Sequence, residues 1–128
     1  MKENYFQKKV KQSLESDGFI VMNFADLFTG GIPDTYAAKD GISYWLELKV
    51  TNKNPGQTVH LDDRKSSERG FTREQAIKLY QLKEKGGVKA WGVIYLVHDK
   101  IALKIPPEDF NKSMKYEKLK QKYKEFIL

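Results

Sequence analysis

The stretch from Pro33 to Val50, PDTYAAKDGISYWLELKV, constrains this chain more than any other. Two β-prone runs flank Lys39-Asp40-Gly41, and an Asp-Gly step favours the positive φ angles of a tight hairpin. Strands are therefore predicted over Asp34–Ala38 and Ser43–Val50, paired through that turn. Pro33 has no N–H to give a ladder and suits the entry to the first strand. Along the second strand side chains alternate between faces. Tyr44, Leu46, Leu48 and Val50 make an apolar face, while Trp45, Glu47 and Lys49 point the other way.

The hairpin delivers Asp34 towards Glu47. Two carboxylates about 4 Å apart repel by about 4 kcal/mol at an effective dielectric near 20, so they gather around a cation. A hard divalent ion such as Mg²⁺ takes oxygen ligands and keeps waters for substrate and nucleophile. On a phosphodiester it would neutralise transition-state charge and lower the pKa of bound water. Lys49 would orient or help deprotonate that water, or pair with the phosphate. Taken singly, a Glu-x-Lys pair is a common solvated strand pattern and Pro-Asp a common turn. Their connection through one hairpin is what points to a metal site.

The chain has no cysteine, which removes disulfides, thiolate zinc sites and cysteine nucleophiles together. His60 and His98 lack metal-ligand spacing, and no Gly-x4-Gly-Lys-[Ser/Thr] loop is present, so no nucleotide cofactor is expected. Twenty-three Lys and Arg against 17 Asp and Glu give a net charge of +6, which favours a polyanionic partner. At 128 residues and 40% hydrophobic content, a single domain over 1–128 is expected. No apolar run approaches the roughly 20 residues that span a bilayer, and the N-terminus lacks an apolar signal core. The expectation is an intracellular, cytoplasmic protein with no membrane partner.

Elsewhere, Phe6, Val10 and Leu14 form one stripe of a helix over residues 3–16, stopped by Asp17-Gly18. Phe19–Phe24 suits a buried strand, and Thr29-Gly30-Gly31 a loop. Residues 51–70 are polar, contain Pro55-Gly56, and are predicted as a long exposed loop. Thr72 opens a second helix of about 14 residues, ended by Gly86-Gly87. Strands over Ala90–Val97 and Ile101–Ile105 follow, and a Lys-rich helix closes the chain. The predicted order is αβββαββα around one mixed sheet.

Gly31-Ile32-Pro33-Asp34, twelve further residues, then Glu47-Leu48-Lys49 resembles the PD-(D/E)xK nuclease signature, and the Gly-x-Pro-Asp form with a later Gln is similar to its VRR-NUC branch. The order of elements over roughly residues 3–97 also resembles archaeal-type Holliday-junction resolvases, including Gly18-Phe19-Ile20-Val21 and the Lys49-Val50-Thr51 exit. The resemblance implies an α/β, restriction-endonuclease-like αβββαβ core, here with a C-terminal basic helix added. It implies Asp34, Glu47 and the Leu48 carbonyl as metal ligands, and Lys49 as the catalytic lysine. The family adds an acidic residue from the first helix. Here that position falls on Gln7, while the acidic residue on the same stripe is Glu3, so either could complete the site. Gln75, at the start of the second helix, matches the VRR-NUC glutamine and also completes a capping box with Thr72.

The resemblance implies Mg²⁺, with Mn²⁺ able to substitute, and DNA as substrate. A branched junction or flap is favoured, because no base-reading module is evident. Lys53, His60, Arg64, Lys65, Arg69 and Arg73, with the C-terminal helix, would contact phosphates, which position without specifying. Paired incision of a four-way junction implies a homodimer, with Phe110, Met114, Phe126 and Ile127 available to cover the core or a partner. Such a small nuclease would suit a phage or a recombination system. The rival readings are a nicking or restriction-like duplex nuclease and a non-catalytic nucleic-acid-binding protein.

Overall fold

A computed structural model describes residues 2–24, 33–62 and 70–126. Helix α1 (Glu3–Ser16) follows the predicted stripe and buries Phe6 and Val10, one turn apart. It ends where Gly18 adopts a φ of 92° and donates its N–H to the Glu15 carbonyl. Strands β1 (Ile20–Asn23), β2 (Thr35–Lys39) and β3 (Ile42–Thr51) follow. Asp40 and Gly41 alone turn the hairpin, both at positive φ (50° and 79°). The β2–β3 ladder therefore runs from Lys39↔Ile42 to Thr35↔Leu46, and β3 outreaches the predicted strand by one residue at each end.

Helix α2 (Arg73–Glu84) carries the chain from β3 to β5 (Lys89–Leu96), which lies parallel to β3. Strand β6 (Ile101–Ile105) returns antiparallel, so the sheet is mixed, as expected. With β8 (Glu125–Phe126) the order is β1-β2-β3-β5-β6-β8. On one face α1 closes Phe6 and Val10 over Leu46, Leu48, Val50, Val93 and Tyr95. On the other, Leu79 of α2 meets Ile94, Leu96, Leu103 and Ile105 beside Phe71, Phe110 and Leu119.

Three sequence expectations change. The buried strand expected over 19–24 is the sheet-edge strand β1, which buries Val21 but exposes Ile20 and Met22. Within 51–70, the described residues are not all loop: Thr58–His60 forms β4, which pairs antiparallel with β7 (Ser113–Lys115) as a separate two-stranded sheet. A three-residue strand is too short for its alternation to register against a polar background. The closing helix is also shorter than its lysine content suggests. Helix α3 is only Tyr116–Lys122, set between β7 and β8. Its apolar residues do not sustain a long stripe. Tyr116 and Leu119 are buried, and Tyr116 and Tyr123 anchor the segment by donating to Asp99 (2.6 Å) and Asp109 (2.8 Å). Phe110 and Met114 lie in the core, and Phe126 packs against the α1-side core. Ile127 lies outside the described residues.

Candidate active site

The candidate site lies where the hairpin ladder stops. Asp34, just beyond Thr35, is fixed at two points. Its main-chain carbonyl accepts the Phe24 N–H (2.8 Å), and its Oδ2 accepts the Leu48 N–H (2.9 Å). The carboxylate thus continues the ladder by one step past Leu46, taking a donor that no β2 residue reaches. A strand residue's N–H and C=O project to the same side, so the Leu48 carbonyl shares this edge with Asp34. Behind Asp34, the Thr35 hydroxyl donates to the Asn23 side-chain oxygen (3.0 Å), tying β1 to the same end of β2.

Glu47 stands opposite Gly92 in the parallel β3–β5 ladder and is 1% exposed. Above Gly92 the Phe71 and Phe110 rings stack with centroids 3.9 Å apart. A Cβ at Gly92 would lie 2.5 Å from Phe110 and 2.7 Å from Phe71, so only glycine admits the stack here. The rings lie on the Glu47 face and make it apolar. With Glu47 ionised, neither of its oxygens has a donor beside it; protonated, it can hydrogen-bond to the Asp34 carboxylate. Burial first, and then the neighbouring Asp34 carboxylate, push the Glu47 pKa up to about 10; Lys49 opposes this shift and Glu3 adds slightly to it. Leaving a buried polar group unpaired costs roughly 1–3 kcal/mol, and more for a charge, so the fold tolerates something here that packing alone would remove.

Lys49 is also buried, its side chain 10% exposed, with Nζ 4.0 Å from Glu3 Oε1. The residue that α1 brings to Lys49 is therefore Glu3, with Gln7 half-buried one turn on. Gln75 holds the start of α2: its Oε1 accepts the Thr72 N–H (2.8 Å) and its N–H reaches Thr72 Oγ1 (3.1 Å). That capping box engages the Gln75 oxygen on the helix rather than on Asp34 or Glu47. Lys53 and His60 line one crevice with Lys49, and His60 Nδ1 lies 2.6 Å from Ser113 Oγ. Arg73 is exposed on the first turn of α2, beside a cavity of about 480 Å³. Arg64, Lys65 and Arg69 lie outside the described residues.

Among the described residues, no three acidic or histidine side chains form a ready-made metal cluster. The donors that are present nevertheless suit a hard cation: two carboxylates whose charges repel, one of them buried with both oxygens unpaired. The contribution of Gly92 has one sequence signal, a glycine inside an apolar strand, which marks close approach. The Glu3–Lys49 pairing had only the shared helical stripe to announce it.

No protein-family model matches the sequence, and no curated protein matches it either. The fold does have solved counterparts. Hjc, a Holliday junction resolvase from the archaeal hyperthermophile Archaeoglobus fulgidus, superimposes with a TM-score of 0.68 at 14% identity, covering 98% of this chain and 93% of its own. A bacterial homing endonuclease aligns with a TM-score of 0.52, also at 14% identity, covering 88% of this chain and 70% of its own. Both are nucleases, and the fold of this chain is the restriction-endonuclease-like fold they share.

Proposed function

We propose that this chain is a divalent-metal-dependent DNA endonuclease of PD-(D/E)xK type that cuts branched DNA, in the manner of a Holliday-junction resolvase. The observation that carries this reading is the buried Glu47 carboxylate, unpaired at both oxygens, between Asp34 and Lys49. The likeness of the fold to a resolvase and a homing endonuclease supports it.

Asp34, Glu47 and the Leu48 carbonyl would hold Mg²⁺ or Mn²⁺, with Glu3 the nearest further carboxylate. Such an ion, when bound, neutralises charge on the phosphodiester and lowers the pKa of bound water. The rest falls to the chain itself. Asp34, held by two backbone donors, presents its remaining oxygen without a search through rotamers. Lys49, kept beside Glu3, orients the attacking water or pairs with the phosphate. Gln75 fixes the first turn of α2 and supports the site from that end. Lys53, His60 and Arg73, with Arg64, Lys65 and Arg69, contact phosphates. Two incisions in a four-way junction call for a homodimer.

The test is incubation of the protein with labelled junction, flap, linear duplex and single strand, in Mg²⁺, Mn²⁺ or EDTA. Ion-dependent paired nicks in the junction are expected. Binding without cleavage under every divalent ion would overturn the reading in favour of a DNA-binding protein. The homing-endonuclease likeness favours a second reading, a duplex nuclease, which faster cutting of linear duplex than of junction would establish.

A further inference from the structure

Helix α2 packs on β5 and β3, and beyond it the same face of the sheet remains exposed on β1. Register places Ile20, Met22, Tyr36 and Trp45 on this face, with Phe24 next in the alternation. It is also the face of Glu47 and Lys49. Ile20 is 70% exposed, Met22 47% and Phe24 39%. Phe24 stacks on Trp45 (centroids 5.8 Å, 26° between planes), and Tyr36 packs against Trp45 from 4.9 Å. Phe24 is the exposed member of this aromatic stack, and its N–H is one of the two that fix Asp34, donating to the Asp34 main-chain carbonyl.

From this arrangement we infer a nucleobase-stacking subsite at Phe24–Trp45, which takes an unpaired base of the nucleotide flanking the scissile phosphate. The inference rests on the nuclease reading and adds to it a structural element of the substrate. Trp45, Glu47 and Lys49 follow one another on one face at about 6.6 Å intervals, comparable with the repeat of an extended sugar–phosphate chain. The exposed Phe24–Trp45 stack lies beside Asp34, so a base placed on it belongs to the nucleotide next to the phosphate that the carboxylates would hold. The net charge of +6 gives the chain its charge complementarity to DNA. A base adds to a ring already stacked, so no side chain has to be ordered for it. Stacking accepts every base, which suits a protein that recognises unpaired nucleotides rather than a sequence.

Binding in EDTA separates this subsite from cleavage. The reporter is Trp45 fluorescence in a Trp91→Phe background, which leaves a single tryptophan. Flap and open-junction DNA should quench it, whereas blunt duplex should not. Phe24→Leu keeps the backbone bond to Asp34 and should weaken flap binding by about tenfold to a hundredfold, with duplex binding unchanged. An abasic nucleotide beside the cut should produce the same loss with wild-type protein and no additional loss with Phe24→Leu. Quenching without cleavage in any divalent ion would remove the nuclease reading and leave the subsite standing. Cleavage without quenching, with Phe24→Leu unaffected, overturns the subsite. So does absence of quenching together with a Met22→Lys variant that halves the mass in sedimentation, because the row then belongs to a second copy of the chain.

Discussion

The two faces of β3 are buried almost equally and behave oppositely. Leu46 and Leu48 are 1% and 0% exposed, Glu47 and Lys49 1% and 8%. On the leucine side α1 supplies Phe6 and Val10, and the buried Thr35 hydroxyl there is satisfied by donating to Asn23. On the other side a carboxylate is buried with both oxygens unpaired, in a position that would stabilise the fold if it were apolar. Burial therefore does not distinguish core from site on this strand; satisfaction of the buried groups does. The leucine face gives β3 the rigidity that keeps Glu47 in place.

The largest test of that contrast is chemical. Glu47→Gln and Asp34→Asn should each abolish ion-dependent cleavage, a loss of at least about 10³-fold in kcat/KM, equivalent to about 4 kcal/mol or more. The folded state should survive, as circular dichroism can check. Activity within tenfold of wild type would show that the two faces differ only in packing. Leu48→Ala probes the opposite face and should cost about 2–5 kcal/mol of stability by urea unfolding, because a fully buried side chain leaves a cavity. If Glu47→Gln proved the more destabilising of the two, the unpaired carboxylate would be a structural element and not a latent ligand.

Much of this contrast is legible in the sequence. Alternation in Tyr44–Val50 assigns the two faces, and the Asp40-Gly41 turn sets the register that brings Asp34 to Glu47. Both are local signals, enforced by hard backbone sterics. Less local features were lost. β4 pairs with a strand more than 50 residues away, and neither partner is long enough to show a period. The full burial of Glu47 depends on Phe71 and Phe110 meeting above Gly92, three segments far apart in the chain. The choice between Gln7 and Glu3 depended on how far along β3 the helix begins, which no periodicity encodes.

A smaller effect should appear in stability against pH. The Glu47 pKa is raised in the folded, metal-free protein to about 10, so the folded state prefers its protonated form. That contribution is complete below the unfolded value, near 4.5, and is lost as pH rises towards 10. Wild-type protein in EDTA should therefore lose stability relative to Glu47→Gln by up to about 1.4 kcal/mol per pH unit across the neutral range. Asp99 and Asp109, whose pKa values are lowered, act in the opposite direction, losing stability as pH falls, and cancel in that difference. Added Mg²⁺ should flatten the wild-type slope by favouring the ionised carboxylate, and should leave Glu47→Gln unaffected. Parallel curves for the two proteins would mean that Glu47 keeps its ordinary pKa.

The smallest effect concerns the first helix. Glu3 meets Lys49 at 4.0 Å from the helix start, where α1 arrives beside the Glu47–Lys49 face although its own apolar stripe serves the leucine face. Glu3→Gln removes the charge that holds Lys49 and should lower kcat by about tenfold, as loss of a supporting contact around a metal site typically does. Because Glu3 is partly exposed, stability should hardly change. If Glu3 also reaches the ion, the Mg²⁺ concentration for half-maximal cleavage should rise; if it only positions Lys49, kcat should fall with that concentration unchanged. Gln7→Ala should leave both quantities within about twofold, since an amide oxygen is the weaker ligand for a hard cation. A larger loss from Gln7→Ala than from Glu3→Gln would move the first helix's contribution one turn along, and would make the Glu3–Lys49 pair an ordinary surface contact.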